Sequence, residues 1–322
     1  MCLVALAIDQ SRRFPLVLAA NRDEFFDRPA ARLGWWSPGD GLPDILGGRD
    51  LQSGGTWLGL TARGRLAVVT NARSGALVND ASAPSRGDIA RRWLAGGMSA
   101  DRFWMHTALD GYNGFNLIAA DFQQGDCFWA SNQHPHPARL ERGLYGLSNA
   151  ALDTPWPKVE ALKACMREAI ETGDSVNHLA GLLFDGLSNR RTYRGAALPS
   201  TGVSPAWEET LSAAFIRSTE LNYGTRCSTL VITERVNKRL ITHVFERSYT
   251  PHGGMALLRR SLIKDWPPRY NVTHSSHPAA QEAVTEVSDL HEMPPAAVRK
   301  TRVRSLLKPD IPLPKRPAGN TA

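Results

Sequence analysis

The chain contains 322 residues, 42% of them hydrophobic, and carries a formal net charge of +7 at pH 7. This is enough for a sizeable core in a single mixed α/β domain, and since no run of 18 apolar residues occurs, a hydrophobic transmembrane helix is excluded. The charge does not predict nucleic-acid binding, because residues 296–322 hold seven Lys and Arg side chains against one acid, and the rest of the chain is close to neutral.

The first predicted element is a hairpin. Two apolar runs, Leu3–Ile8 and Pro15–Ala20, flank the polar residues 9–13, as expected of antiparallel strands joined by a turn. If the turn centres on residues 11 and 12, cross-strand partners have numbers that sum to about 23, and Cys2 lies near residues 21–24. Both faces of the first strand are apolar, so we expect it to be buried between two layers.

The cysteine before this strand has two interpretations. A small second residue permits removal of Met1, which would leave Cys2 with a free α-amine beside its thiol. With a reference pKa of about 7.7–8.0, that amine is partly neutral at pH 7 and can act as a base, which is the arrangement of an N-terminal nucleophile hydrolase. Alternatively, Cys2 is an ordinary buried small residue.

A glycine-rich stretch, Gly47–Gly59, matches neither a dinucleotide-binding nor a P-loop motif. We interpret it as a loop that lines a pocket and leads into a strand at Thr56–Leu60. Trp57 is either a wall of that pocket or part of the core. The next strand, Leu66–Thr70, ends at Asn71, which is either a turn former or a hydrogen-bond donor for an oxyanion.

The later elements form blocks of helices and strands. Helices are predicted near residues 88–95, 100–109, 156–171 and 175–184, and strands at 115–121, 126–131, 143–147, 226–234 and 239–246. This order favours helices packed outside a two-sheet sandwich. Residues 266–322 contain nine of the 21 prolines and no sustained apolar period, so we expect a basic, disordered tail after a single domain of residues 1–265.

The four cysteines, Cys2, Cys127, Cys165 and Cys227, show no CxxC spacing. This argues against a zinc site and a disulfide framework, and the lack of CxxCH excludes covalently attached haem on motif grounds. No basic region precedes the first apolar stretch and no small-residue cleavage site follows it, so no secretory signal is predicted. A cytoplasmic location is therefore expected.

Several short motifs resemble one family. The string NRDE at 21–24 follows an MC start and an apolar hairpin, and the resemblance continues through GGRDLQSGGTWLG (47–59), VTNAR (69–73), GLSNA (146–150) and TRCSTL (225–230). Over roughly residues 2–250, the chain resembles the NRDE family, also called the transport and Golgi organization protein 2 family. This resemblance implies an α+β fold, the four-layer αββα sandwich of the N-terminal nucleophile (Ntn) hydrolase type.

The resemblance also implies catalytic roles. Cys2 would be the nucleophile with its α-amine as the base, and Asp23 would orient that amine. By similarity to the cysteine-nucleophile amidases that this fold includes, Asn71 and Asn149 would hold the oxyanion.

Two arginines, Arg22 and Arg226, would bind anionic groups or support the Cys2 thiolate. In those amidases the arginine and aspartate near the nucleophile are a few residues apart, whereas Arg22 and Asp23 are adjacent here, which leaves open which of them faces Cys2. The remaining residues expected to contact a substrate are Asn21, Glu24, Trp57 and Arg73.

Two functions of different classes fit this reasoning. The leading one is hydrolysis of non-peptide C–N amide bonds with Cys2 as nucleophile. The alternative is a non-catalytic carrier or chaperone for haem or another apolar anion, since members of the family have been linked to haem trafficking and to secretory organisation. Either function implies a small-molecule substrate or ligand, and the hydrolase needs neither a metal nor a cofactor. The sequence does not indicate an oligomeric state.

Overall fold

The computed structural model of the protein describes residues 2–73 and 80–268. Within these ranges the strands are, in chain order, β1 (Cys2–Ile8), β2 (Leu16–Phe25), β3 (Ala30–Trp36), β4 (Ile45–Asp50), β5 (Leu58–Thr61), β6 (Arg65–Asn71), β7 (Phe115–Asp121), β8 (Asp126–Ser131), β9 (Ala138–Arg139), β10 (Gly143–Leu147), β11 (Arg217–Ser218), β12 (Tyr223–Val236), β13 (Arg239–Tyr249) and β14 (Met255–Lys264). The α-helices are α1 (Arg86–Ala95), α2 (Ala100–Leu109), α3 (Pro157–Thr172), α4 (Val176–Leu187) and α5 (Pro205–Leu211).

The strands form two antiparallel sheets. The first sheet has the order β10-β1-β2-β12-β13-β14, with β11 paired to β12, and the second runs from β3 to β9 in chain order. Helices α3 and α4 pack on the outer face of the first sheet, and α1 and α2 pack on the outer face of the second. The predicted α+β fold, a four-layer αββα sandwich, is confirmed.

Strand β1 lies at the centre of this arrangement because its side chains alternate between two apolar layers. Leu3 and Ala5 belong to the core under α3 and α4, whereas Val4 and Leu6 belong to the core between the sheets. The expectation that both faces of β1 are buried is therefore correct. The strand begins at Cys2, at one end of the inter-sheet core, where polar residues from both sheets line a cavity.

The register of the hairpin differs from the predicted one by a single residue. Ile8 pairs with Leu16 and Cys2 pairs with Arg22, so partner numbers sum to 24. The loop therefore centres on residue 12, and Asp9, at φ 51°, closes it by donating from its backbone N–H to the Pro15 carbonyl at 2.8 Å. Since a one-residue shift exchanges the faces of a strand, this register decides which NRDE side chains share a face with Cys2.

The glycine-rich stretch is not a continuous loop, because Gly47–Asp50 belongs to β4. A side chain would not fit there: a Cβ atom at Gly47 would lie 2.4 Å from the Leu58 carbonyl oxygen, and one at Gly48 would lie 2.2 Å from the Trp57 ring. The glycines therefore allow close packing of β4 on the start of β5 rather than loop conformations.

The domain extends beyond its predicted last strand. Strand β14 pairs with β13, and Trp266, which the prediction assigned to the tail, is fully buried in the inter-sheet core. Its indole Nε1 donates to the Thr61 carbonyl at 2.9 Å. Trp266 therefore packs with the domain core one residue past the predicted end of the domain, and residues 269–322 of the predicted tail lie outside the described residues. Within the described ranges, no helix combines the length and the apolar character needed to cross a membrane.

A buried histidine predicts a pH dependence of stability. Burial and the neighbouring Arg260, which donates to Nδ1 at 2.7 Å, lower the pKa of His243 from 6.5 to about 4. Unfolding therefore takes up a proton between these values, so this group's contribution to stability is present above pH 6.5 and is lost as the pH falls toward 4. At pH 4 the loss is on the order of 1–3 kcal/mol.

The measurement is the free energy of unfolding by urea between pH 4 and pH 7 for the native chain and the His243→Gln variant. Carboxylates that titrate in the same range contribute to both proteins and cancel in the difference. We expect the native chain to lose more stability than the variant on acidification. Parallel curves for the two proteins would contradict the prediction.

Candidate active site

A cavity of about 360 Å³ lies at the end of the sandwich where β1 begins. Six of the predicted site residues line it: Cys2, Arg22, Asp23, Glu24, Trp57 and Asn71. The other four, Asn21, Arg73, Asn149 and Arg226, do not belong to its lining. The structure therefore brings together residues from β1, β2, β6 and the segment before β5 around one cavity.

The thiol of Cys2 is largely shielded from solvent. Cys2 is 8% exposed and its backbone carbonyl accepts a hydrogen bond from Ser148 Oγ at 3.0 Å, which fixes the start of β1. Burial raises the pKa of this thiol above its ordinary value of 9.0. The thiol is therefore protonated at neutral pH, and nucleophilic attack would need a base beside it.

Asp23 lies one position past the partner of Cys2 on β2. Because Cys2 pairs with Arg22, the backbone nitrogen of Cys2 points along the strand toward the level of Asp23. The Asp23 carboxylate is buried, and its Oδ1 accepts from Thr225 Oγ1 at 2.7 Å. Burial raises the pKa of Asp23 above 3.8. A carboxylate in this position is suited to hold an amine at the start of β1.

Arg22 faces the cavity from the position opposite Cys2. It is 6% exposed, and its guanidinium carbon lies 4.3 Å from the centroid of the Trp57 ring. Its nearest acid is Glu24, whose Oε2 is 3.9 Å from Nη2, too far for a hydrogen bond. The question left open by the adjacent Arg22 and Asp23 is thus answered by register, since Arg22 shares the face of Cys2.

The two asparagines have different positions. Asn71, at the end of β6, lines the cavity, and its side-chain amide makes no hydrogen bond with the described residues. Asn149 is fully buried behind it and donates from Nδ2 to the Asn71 backbone carbonyl at 2.8 Å. The geometry therefore supports Asn71 as a donor into the cavity and Asn149 as the residue that holds it.

Arg226 supports a loop rather than the thiol. Its Nη1 donates to the carbonyls of Phe25 and Arg28, at 2.6 and 2.9 Å, and its guanidinium stacks on Phe26. These contacts hold the connection between β2 and β3. Sequence reasoning did not anticipate this, because a β-bulge between Thr225 and Cys227 changes the direction of this side chain.

The remaining two residues also have structural partners. Asn21 donates from Nδ2 to the carbonyls of Leu187 and Ala214, both at 2.8 Å, on the helix side of the first sheet. Arg73 lies 3.6 Å from Glu208 and stacks on the Trp156 ring. Direct contact of Asn21 or Arg73 with a substrate in this cavity is therefore not supported by their placement.

A buried set of charges lies behind Asp23. Lys158, near the start of α3, donates from Nζ to the Leu211 carbonyl at 2.8 Å, and burial lowers its pKa to about 8. The charge of Asp23 opposes this lowering, and that of Arg73 adds to it. Lys158 was not predicted, because it occurs in an ordinary amphipathic helix pattern. Lys158 and Asp23 are therefore buried groups of opposite charge, and each favours the charged form of the other.

Sequence reasoning also missed the contribution of α1 to the cavity. The segment from Pro84 to Gly87, which includes the N-cap residue Ser85, lines the cavity. The predicted helix start was a usable signal, since a helix N-terminus attracts negative charge. Among the described residues, no group of three or more His, Cys, Asp or Glu side chains could hold a metal ion.

The comparisons with solved structures give low scores. The chain is similar to a Caenorhabditis elegans N-acylethanolamine-hydrolyzing acid amidase ortholog, with a TM-score of 0.41 and 11% identity over 72% of this chain and 92% of that one. It is also similar to the C2A mutant of a conjugated bile acid hydrolase from Clostridium perfringens, with a TM-score of 0.42 and 9% identity over 85% and 99% of the two chains.

The sequence comparisons are much stronger. The chain is 34% identical over 295 residues to the Bos taurus Transport and Golgi organization protein 2 homolog, and this alignment covers 85% of this chain and 97% of that protein. It is 33% identical over 254 residues to the Homo sapiens homolog, with 73% and 89% covered. The family model described as Transport and Golgi organisation 2 matches residues 1–251. The chain therefore belongs to the Transport and Golgi organisation 2 family, as its NRDE motif predicted.

Proposed function

We propose that this protein hydrolyses C–N bonds of non-peptide amides with Cys2 as the nucleophile. The observation that carries the proposal is the position of the Cys2 thiol at the start of a central strand, in the wall of a cavity, opposite Arg22 and next to Asp23. Nucleophile, candidate amine and orienting carboxylate thus come from two paired strands of the core, which is how a rigid site is built.

The proposed reaction needs the mature chain to begin at Cys2. The α-amine takes the thiol proton as Sγ attacks the amide carbon, and the carbonyl oxygen becomes an oxyanion that the Asn71 amide stabilises. The C–N bond then breaks, and the protonated α-amine gives its proton to the departing nitrogen. Water hydrolyses the resulting thioester, which releases a carboxylic acid and restores the thiol.

The polarity of the cavity favours this function over the carrier function. Its described lining consists largely of charged and polar groups, and the apolar side chains among them are Trp57, Val69, Ala81, Ala83 and Pro84. Binding of an apolar macrocycle such as haem would need a predominantly apolar wall. The carrier function therefore serves as the competing outcome in the experiments below.

Removal of Met1 is the first prediction of the hydrolase proposal. An acylated or extended Cys2 nitrogen has no free electron pair for the thiol proton, so the active protein must lack Met1. Intact-mass spectrometry of the purified full chain measures this directly, and we expect the mass of a chain that starts at Cys2. A variant with Cys2→Leu provides the control, since a bulky second residue prevents removal of the methionine. Retention of Met1 in most molecules of the native chain would leave the proposed reaction without its base.

A further inference from the structure

The guanidinium of Arg22 presents unused hydrogen-bond donors to the cavity. Arg22 is 6% exposed, yet among the described residues no acceptor forms a hydrogen bond with its guanidinium. Guanidinium carries five N–H donors, and Arg22 lines the cavity with no hydrogen-bond acceptor among the described residues, so water or a ligand in the cavity can accept from these donors.

The orientation of Arg22 suits a planar anion. Its guanidinium stacks on Trp57, and that ring is itself fixed against Gly48, where a Cβ atom would overlap it. Stacking leaves the edge of the guanidinium available, and the edge is the part that binds a carboxylate or a phosphate with two parallel hydrogen bonds.

The first turn of α1 approaches the same cavity. Thr56 donates its backbone N–H to the Gly87 carbonyl at 3.1 Å, and a Cβ atom at Gly55 would lie only 2.4 Å from the Gly87 carbonyl carbon. This close backbone contact holds the start of the ten-residue helix against the cavity. The partial positive charge of that end adds to the charge of Arg22.

The acidic side chains of the cavity do not completely neutralise the positive charge of Arg22 and the first turn of α1. Asp50 pairs with Arg28 at 2.6 Å, and Asp80 accepts from the neutral Ser82 hydroxyl at 2.7 Å and keeps its charge, while Arg86 is a further cation in the lining. Glu24 lies about equally far from Arg22 and Arg28, at 3.9 and 4.0 Å. The Cys2 thiol, whose pKa is raised by burial, is neutral at pH 7 and supplies no charge.

We propose that Arg22 and the first turn of α1 bind an anionic group of the substrate, a carboxylate or a phosphate, that lies close to the scissile C–N bond. The inference rests on the proposed hydrolase function and names its substrate class as anionic amides. Cys2 pairs with Arg22 across the hairpin and both residues line the same cavity, so a substrate whose anionic group is bound by Arg22 has its amide carbonyl in the cavity that contains the thiol.

The test measures binding and does not require turnover. In the Cys2→Ala background, calorimetry compares three benzamides that differ only in one group: hippurate with a carboxylate, N-benzoylaminomethylphosphonate with a phosphonate, and the neutral hippuramide. We expect at least one anionic probe to bind about tenfold or more tightly than hippuramide, since hydrogen bonds between charged groups are stronger than those to a neutral amide. The anion that binds more tightly distinguishes a carboxylate substrate from a phosphate substrate.

Substitutions of Arg22 test whether this residue causes the preference for anionic probes. Arg22→Met removes the guanidinium but leaves an unbranched apolar side chain of similar length, so it should reduce anion affinity to that of hippuramide, and Arg22→Lys should restore part of it. Arg13→Met is the matched control, since Arg13 pairs with Glu234 on the surface and does not line the cavity. Thermal unfolding of each variant checks that the fold is retained.

Three results would overturn the inference: equal binding of the three probes, no binding of any probe at millimolar concentration, or an anion preference that survives Arg22→Met. A fourth result would assign Arg22 to support of the thiolate instead: the single Arg22→Met variant, with Cys2 intact, is alkylated at Cys2 more slowly than the native chain, while the probe affinities in the Cys2→Ala background do not change. Failure of the hydrolase proposal is a different observation, because absence of Cys2-dependent amide cleavage leaves these affinities as measured.

Discussion

Replacing Cys2 by Ala should abolish amide hydrolysis and leave the fold intact. Alanine removes only the sulfur, and it still permits removal of Met1, so the α-amine and the cavity are retained. Without the thiol no acyl-enzyme forms, and removal of a covalent nucleophile lowers kcat by about 10⁴-fold or more in comparable hydrolases. The measurement is release of amine from a panel of acyl-amides that includes anionic members, with thermal unfolding as the check on folding.

Cys227→Ala is the matched control for this experiment. Cys227 is a buried cysteine on β12, and in the first sheet it pairs with Arg22 from the side opposite Cys2. It does not line the cavity, so its loss should leave turnover within about a factor of two. Equal loss of activity in both variants would mean that a change in packing, and not the nucleophile, is responsible.

The same pair of variants separates the hydrolase from the haem carrier. A carrier predicts no turnover of any amide by the native chain, haem binding in the micromolar range or tighter, and an affinity that depends on Arg22 and Trp57 more than on Cys2. The haem-binding experiment needs a control for direct ligation of the iron by Cys2, since a thiolate can ligate haem iron. A Cys2→Ser variant with an unchanged haem spectrum excludes such ligation.

The parts of the fold that were predicted correctly are those where a strand has one dominant apolar pattern. Strands such as Phe115–Asp121 and Asp126–Ser131 were predicted with their observed bounds, because apolar runs end there at turn residues. In contrast, β4 contains two glycines that indicate a loop when read alone, whereas in the fold they permit close contacts with Leu58 and Trp57. Such a contact between segments is not visible in local sequence.

The candidate site was likewise predicted only in part. The presence of Cys2, Arg22 and Asp23 at one place followed from the hairpin, but the face of each side chain depends on a register that sequence fixed only to within one residue. The direction of Arg226 depends on a bulge in β12, and no composition or periodicity predicts that bulge. Lys158 was missed because a charged residue on an amphipathic helix is normally solvent-exposed, whereas here the α3 start is covered by the segment around Leu211.

Asn71→Ala should reduce kcat by about 10²–10³-fold with a smaller change in KM. The Asn71 amide has no hydrogen-bond partner among the described residues and lines the cavity with Cys2, so it can donate to the oxyanion that forms only in the transition state. Loss of one such donor typically costs about 2.7–4 kcal/mol of activation free energy. Initial rates over a range of substrate concentrations give both kinetic constants.

Asn149→Ala tests whether the backbone of Asn71 must be held in place. Asn149 donates to the Asn71 carbonyl at 2.8 Å from a fully buried position, so its removal leaves a carbonyl acceptor without its partner. We expect a loss of about 1–3 kcal/mol in unfolding free energy together with a reduced kcat, whereas Asn71→Ala should unfold close to the native chain. If Asn149→Ala lowers kcat as much as Asn71→Ala without loss of stability, then Asn149 contacts the oxyanion itself, and the assignment of the donor to Asn71 alone is wrong.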